Sequence, residues 1–88
     1  MGDVAVVLKV LPEDSELDME SLKTQIEGEI KNICKLNKSE LQEIGFGLKA
    51  IRLEIIVPDE EGKIDKVEAN ISRVKGVGQI DTEDVSLL

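Results

Sequence analysis

The sequence has no histidine, no tyrosine and no tryptophan, and only one cysteine and one phenylalanine. Without histidine, no His-based Ser or Cys nucleophile can be assembled within the chain. Metal sites of the Cys/His type are excluded for the same reason. A lone cysteine, Cys34, forbids an intrachain disulfide and suits a reducing compartment. It follows Ile33 near an expected helix end and reads as a small packed hydrophobe rather than a nucleophile. With Phe46 the only aromatic residue, the core must be aliphatic. Positive charge is scarce as well: 11 Lys and Arg stand against 19 Asp and Glu, giving a net charge of −8. That balance argues against direct nucleic-acid binding, which needs phosphates neutralised, and against docking on anionic lipid. It fits plain solubility, and it would also attract a basic protein surface. No apolar run approaches the length of a membrane span, and Asp3 is at odds with a signal peptide, so a cytoplasmic location is expected.

What is present describes one globular domain over residues 1–88. Hydrophobic residues make up 41% of the chain and charged residues 34%, a soluble rather than a disordered composition. Residues 4–11, VAVVLKVL, alternate: Val4, Val6, Leu8 and Val10 share one face, with Ala5, Val7, Lys9 and Leu11 on the other. This suits a central strand that Pro12 ends. The acidic stretch PEDSELD follows, where Ser15 with Asp18 fits a capping box, or Asp18 alone is the N-cap. Met19, Leu22, Ile26, Ile30 and Ile33 then mark one face of a helix, with Gly28 off the stripe. Lys31 and Lys35 would complement its C-terminal dipole, and Asn37 would stop it.

Residues 38–44 read as a short edge strand whose charges discourage aggregation. In residues 48–57, Ile51, Leu53, Ile55 and Val57 share a strand face, with Lys49 off it and Arg52 and Glu54 opposite. PDEEG, residues 58–62, is a turn. Ile64, Val67, Ile71 and Val74 predict a second helix, closed by Arg73 and Lys75, with Gly76 as the residue past its end. Residues 77–88 contain a last strand. The order β-α-β-β-α-β gives two helices with one apolar stripe each, both on the same face of a four-stranded antiparallel sheet. The expected class is therefore α+β, with the ferredoxin-like split βαβ topology.

Enzymatic chemistry is thin. Asp59, Glu60 and Glu61, and Asp81, Glu83 and Asp84, could hold Ca²⁺ or Mg²⁺ weakly. Residues 59–62 lack the alternating ligands of an EF-hand loop and read as a solvated acidic turn. No metal or cofactor is expected, and no catalytic residue. A carboxylate acid/base pair would need a raised pKa in a pocket, for which a small domain has little room. GFGLKA, residues 45–50, formally matches G-x-G-x-x-G/A, but a strand follows it where the dinucleotide fingerprint needs a helix. Two readings of Gly45-Phe46-Gly47 remain. In one, the glycines supply a turn and Phe46 packs at the sheet end. In the other, the turn holds Phe46 out as an anchor for a partner's pocket.

The segment Ile44-Gly45-Phe46-Gly47-Leu48-Lys49-Ala50 resembles the nucleotide-exchange domain of translation elongation factor 1-beta, which carries an Ile-Gly-Phe/Tyr-Gly-Ile-Lys-Lys type of stretch. Val10 through Met19 is similar to a second family segment, with Glu13 where the family has Trp. Val77 through Asp81 is similar, more loosely, to the family's final strand. The resemblance spans nearly the whole chain in the same order, and a chain of this length looks like the archaeal form. It implies an exchange factor, not an enzyme, that binds the GTPase elongation factor 1-alpha and speeds GDP release so that GTP can reload. It implies Gly45, Phe46 and Gly47 as one contact, and the C-terminal residues Asp81, Leu87 and Leu88 as another. It favours an exposed Phe46. Eukaryotic members place a Lys next to last, thought to intrude on the Mg²⁺ site of the GTPase. Leu87 stands there, which leaves another residue, or a steric push from the apolar C-terminus, to serve instead. The rival expectation is a ferredoxin-like small-molecule-sensing or oligomerisation module. The exchange-factor reading expects a monomer when free; the rival would pair through sheet edges.

Overall fold

Apolar alternation in the first segment builds a strand with one buried face. β1 spans Asp3–Pro12 in a computed structural model that describes residues 2–88. Val4, Val6, Leu8 and Val10 are buried, and Ala5, Val7 and Lys9 between them are half-buried, as a two-residue period requires. α1 follows over Met19–Ile30, β2 over Lys35–Gly45, β3 over Leu48–Pro58, α2 over Lys63–Ser72 and β4 over Val77–Leu87. The strands form one antiparallel sheet in the order β2-β3-β1-β4, the expected ferredoxin-like arrangement. β1 is central, and β2 and β4 are the two edges.

Both helices lie on one face because each has one apolar stripe to bury. Leu22, Ile26 and Ile30 of α1 and Val67 and Ile71 of α2 join Leu8, Leu53 and Ile55 of the sheet in one aliphatic core. Each such side chain, fully buried, contributes about 1.5–3 kcal/mol. No polar or charged side chain is buried among the described residues. Asp18 is the N-cap of α1: its Oδ1 accepts from the N–H of Glu20 at 3.1 Å and of Ser21 at 3.3 Å. Such a cap is worth about 1 kcal/mol. No helix among the described residues is long and apolar enough to cross a membrane.

The first helix ends sooner than its apolar stripe suggests. The N–H groups of Ile33 and Cys34 both donate to the carbonyl of Ile30, closing a turn there. Lys35 and Asn37 therefore lie in β2, not at a helix C-terminus, and Asn37 does not stop α1. Leu36 pairs with Ile55 and Lys38 with Glu54, so Asn37 is the extra residue of a β-bulge. Likewise α2 ends at Ser72, and Gly76, with φ +107°, turns the chain into β4 rather than capping the helix. Lys49 pairs with Glu43 and lines a cleft with Met19 and Leu41, on the helix side of the sheet, so it is not off the apolar face.

The face away from the helices is mixed: Ala5, Val7, Leu11 and Ile56 lie on it in the two central strands, with charged residues among and around them. Register places Glu40, Arg52, Lys9 and Asp81 in one row across all four strands. Arg52 pairs with Glu54 at 2.5 Å and with Glu40 at 3.7 Å. Both pairs are half-exposed, and only the one to Glu40 ties β2 to β3, at modest energetic weight. Each edge strand carries a bulge, Asn37 in β2 and Glu83 in β4, and several charges, which blunt it against further strand pairing.

Candidate functional site

The β2–β3 hairpin closes with Gly45 opposite Leu48, leaving Phe46 and Gly47 as a two-residue turn. Phe46 has φ +54° and Gly47 φ +76°. Positive φ at both central positions is the type I′ pattern, whose twist matches the flanking strands, and Asn-Gly is its usual sequence. Phe46 is the only non-glycine residue with positive φ among those described. Left-handed backbone costs a side-chain-bearing residue roughly 1–2 kcal/mol. The ring does not recover that by packing, because Phe46 is 103% exposed. The packing reading of Phe46 is therefore wrong. Gly45, with φ +101°, sits at a register shift between Glu43 and itself, and this bulge sets the direction in which the turn leaves the sheet.

Apolar surface continues around the turn. Ile44 and Leu48 flank it and are both exposed. On the helix side, a cleft of about 380 Å³ opens between the hairpin and the loop that leads into α1. Pro12, Leu17, Met19 and Leu41 give its apolar lining, and Gly47 ties it to the turn. Asp18, Glu20 and Lys49 charge its rim.

The C-terminal residues lie elsewhere. Leu87 pairs with Val4, beside the start of β1, whereas the hairpin adjoins the end of β1. At about 3.3 Å per residue the two ends stand roughly 30 Å apart. They also lie on opposite edges, so they occupy diagonal corners of a body whose longest extent is 42 Å. Leu87 is 76% exposed, Leu88 70% and Val85 51%. Leu88 donates its N–H to the carbonyl of Asp3 at 3.0 Å. Asp81 belongs to neither corner. It faces Lys9 on the open face and accepts from the side-chain amide of Gln79. The six residues implied as contacts thus form two corners and one isolated position.

Residues 5–88 match the EF-1 guanine nucleotide exchange domain. The chain belongs to that family. Among members of the exchange-domain family, it is 52% identical to elongation factor 1-beta of Thermoplasma acidophilum over the full length of both. The Thermoplasma volcanium and Methanothermobacter thermautotrophicus proteins of the same name are 48% and 38% identical, and each match spans at least 99% of both chains. Among solved structures, the ACT domain from GTP pyrophosphokinase of Chlorobium tepidum superposes with a TM-score of 0.68 at 18% identity, covering 92% of this chain and 99% of that one. That likeness shows the exchange domain's fold to be the shared ferredoxin-like one, and nothing of its activity.

Sequence reasoning missed the cleft, together with Leu17, Leu41, Ile44, Leu48 and Val85. Leu17 gave a signal, as an apolar residue inside an acidic loop and off the helical stripe, and Ile44 and Leu48 stood in the segment that resembles the family without being read as contacts. Cys34 stays outside both corners. Its thiol donates to the carbonyl of Ile30, and burial pushes its pKa above the ordinary value. That is the behaviour of an inert packed cysteine.

Proposed function

We infer that this protein is a guanine-nucleotide exchange factor for elongation factor 1-alpha, promoting GDP release and GTP reloading. The full-length match to elongation factor 1-beta carries this reading. Exchange requires no covalent step. It is a coupling free energy: a factor that grips the nucleotide-free GTPase more tightly than the loaded form weakens nucleotide binding by the same factor.

The hairpin corner is the first contact. Phe46 is held out on a strained turn, and a fully exposed aromatic gains about 1.5–3 kcal/mol when it enters a partner's pocket. Backbone strain kept at an unpacked aromatic makes sense if the aromatic has a partner. Gly45 and Gly47 supply the turn. The Leu87–Leu88 corner is the second contact, so the GTPase must present two surfaces separated by much of this domain's length. With no Lys at position 87, the second corner acts by apolar contact. Asp81 lies on the open face apart from both corners and is the weakest member of the set. The bulged, charged edges favour a free monomer, and the residues as a whole, 1–88, are read as one exchange domain working in the cytoplasm.

The deciding experiment follows release of fluorescent GDP from the cognate elongation factor 1-alpha. Acceleration at micromolar concentrations of this protein is expected. An unchanged release rate across that range overturns the assignment.

A further inference from the structure

Phe46 projects from the hairpin corner, and the cleft beside it recedes. The apolar lining is drawn from separate elements: Pro12 ends β1, Leu17 lies in the loop before α1, and Leu41 belongs to β2. A volume of about 380 Å³ falls within the range of sites that enclose a small group. Charge around it is one-sided. Residues 13–20 contain Glu13, Asp14, Glu16, Asp18 and Glu20, and among the described residues none of them is in an ion pair. Among the described residues, Lys49 is the one cation lining the cleft.

We propose that this cleft receives an apolar side chain of elongation factor 1-alpha, carried on a segment with a neighbouring Lys or Arg. The two proteins would then exchange anchors at the hairpin corner: Phe46 enters the GTPase, and a residue of the GTPase enters the cleft. The proposal rests on the reading that the hairpin corner docks on that factor. Charge selects the occupant. A second copy of this chain would bring the same net charge of −8 against the same acidic loop. A small anionic ligand would meet the carboxylates of Asp18 and Glu20 beside Lys49, and a small cation would leave the apolar lining of Leu17 and Leu41 unused. A basic segment meets the unneutralised carboxylates, and its apolar side chain meets Leu17 and Leu41.

Two variants test this. Ser15 and Glu20 both line the cleft and are both exposed, so changing them spares the core. Ser15→Trp fills the cleft and Glu20→Lys reverses its rim. Affinity for nucleotide-free elongation factor 1-alpha is read by calorimetry for the wild type, both variants and Phe46→Ala, with thermal melts to confirm folding. S15W should bind about tenfold more weakly, as expected when an anchor residue loses its pocket. E20K should bind more weakly at low salt, with a shallower salt dependence than the wild type. If S15W and E20K bind as the wild type does while F46A is impaired, the cleft proposal falls and the hairpin contact stands. If the wild type itself does not bind, both fall.

Discussion

The hairpin corner and the β4 corner expose apolar surface by opposite means. Among the described residues, four of the seven large exposed hydrophobics, Leu17, Ile44, Phe46 and Leu48, lie at the first, and Val85, Leu87 and Leu88 at the second. At the hairpin the exposure is built. A two-residue turn, a bulge at Gly45 and a left-handed Phe46 define where the ring stands. At the β4 corner the exposure is residual. Leu87 and Leu88 ride on an edge strand paired on one side only, and a single hydrogen bond to Asp3 holds Leu88. A turn whose backbone is held before it meets its partner gives up less freedom on binding than a strand end, so equal apolar area should yield more affinity at the hairpin.

The sharpest way to break that contrast is Phe46→Ala. Loss of a fully exposed anchor should cost about 2 kcal/mol or more in binding, roughly thirtyfold in affinity for elongation factor 1-alpha. The melting temperature should not fall, because the ring packs against nothing. If the variant unfolds while its folded fraction binds normally, the ring is structural after all.

A smaller loss is expected at the other corner. Leu87→Ala with Leu88→Ala should weaken binding about tenfold or less, as truncation outside a central hot spot does. Combining these changes with Phe46→Ala should give additive free energies, because the corners are far beyond coupling range. Strong non-additivity in the calorimetric cycle would mean that both corners serve one pocket of the partner.

Phe46→Gly sharpens the comparison from the stability side. Glycine adopts positive φ freely, so relieving the left-handed strain should raise unfolding free energy by about 1 kcal/mol in urea titrations. Exchange activity should drop as far as in the alanine variant. No equivalent gain is available at Leu87, where no positive φ is held.

The least effect belongs to Cys34, remote from both corners. Its thiol pKa is raised by burial, so less of it is thiolate at pH 8 than of a free cysteine, and alkylation should be slower. The rate should climb at higher pH than it does for a free cysteine. By the same shift, folding stability should decline slightly once pH rises beyond the unfolded thiol's pKa, because the buried thiolate is disfavoured. Alkylation at the free-cysteine rate would show that the turn after α1 opens readily.

Much of the frame was legible because it rests on periodicity. Val4, Val6, Leu8 and Val10 declared β1, and Ile51, Leu53, Ile55 and Val57 declared the buried face of β3, since a two-residue repeat has one solution against a single core. Element ends were less legible. Asn37 looked like a helix stop because asparagine tolerates left-handed backbone, but the turn onto the Ile30 carbonyl had already ended α1. At the hairpin, glycines announced a turn without saying which residue would carry the strain. Phe46 carries it because a two-residue connection needs positive φ at both places and only one of them is glycine. The cleft was invisible in the sequence, since Pro12, Leu17 and Leu41 converge only after β1, β2 and α1 have packed.

Gly78 sets a last limit on how this domain can vary. A methyl group there would stand 2.8 Å from the carbonyl oxygen of Pro12 and 3.0 Å from the backbone of Glu13. The acidic loop that borders the cleft therefore leaves β1 pressed against bare backbone at the start of β4. Evolutionary drift at position 78 would be felt first as a clash with backbone. It would press on the backbone where β1 gives way to the acidic loop, so a residue outside the cleft has a hand in how the cleft's border sits.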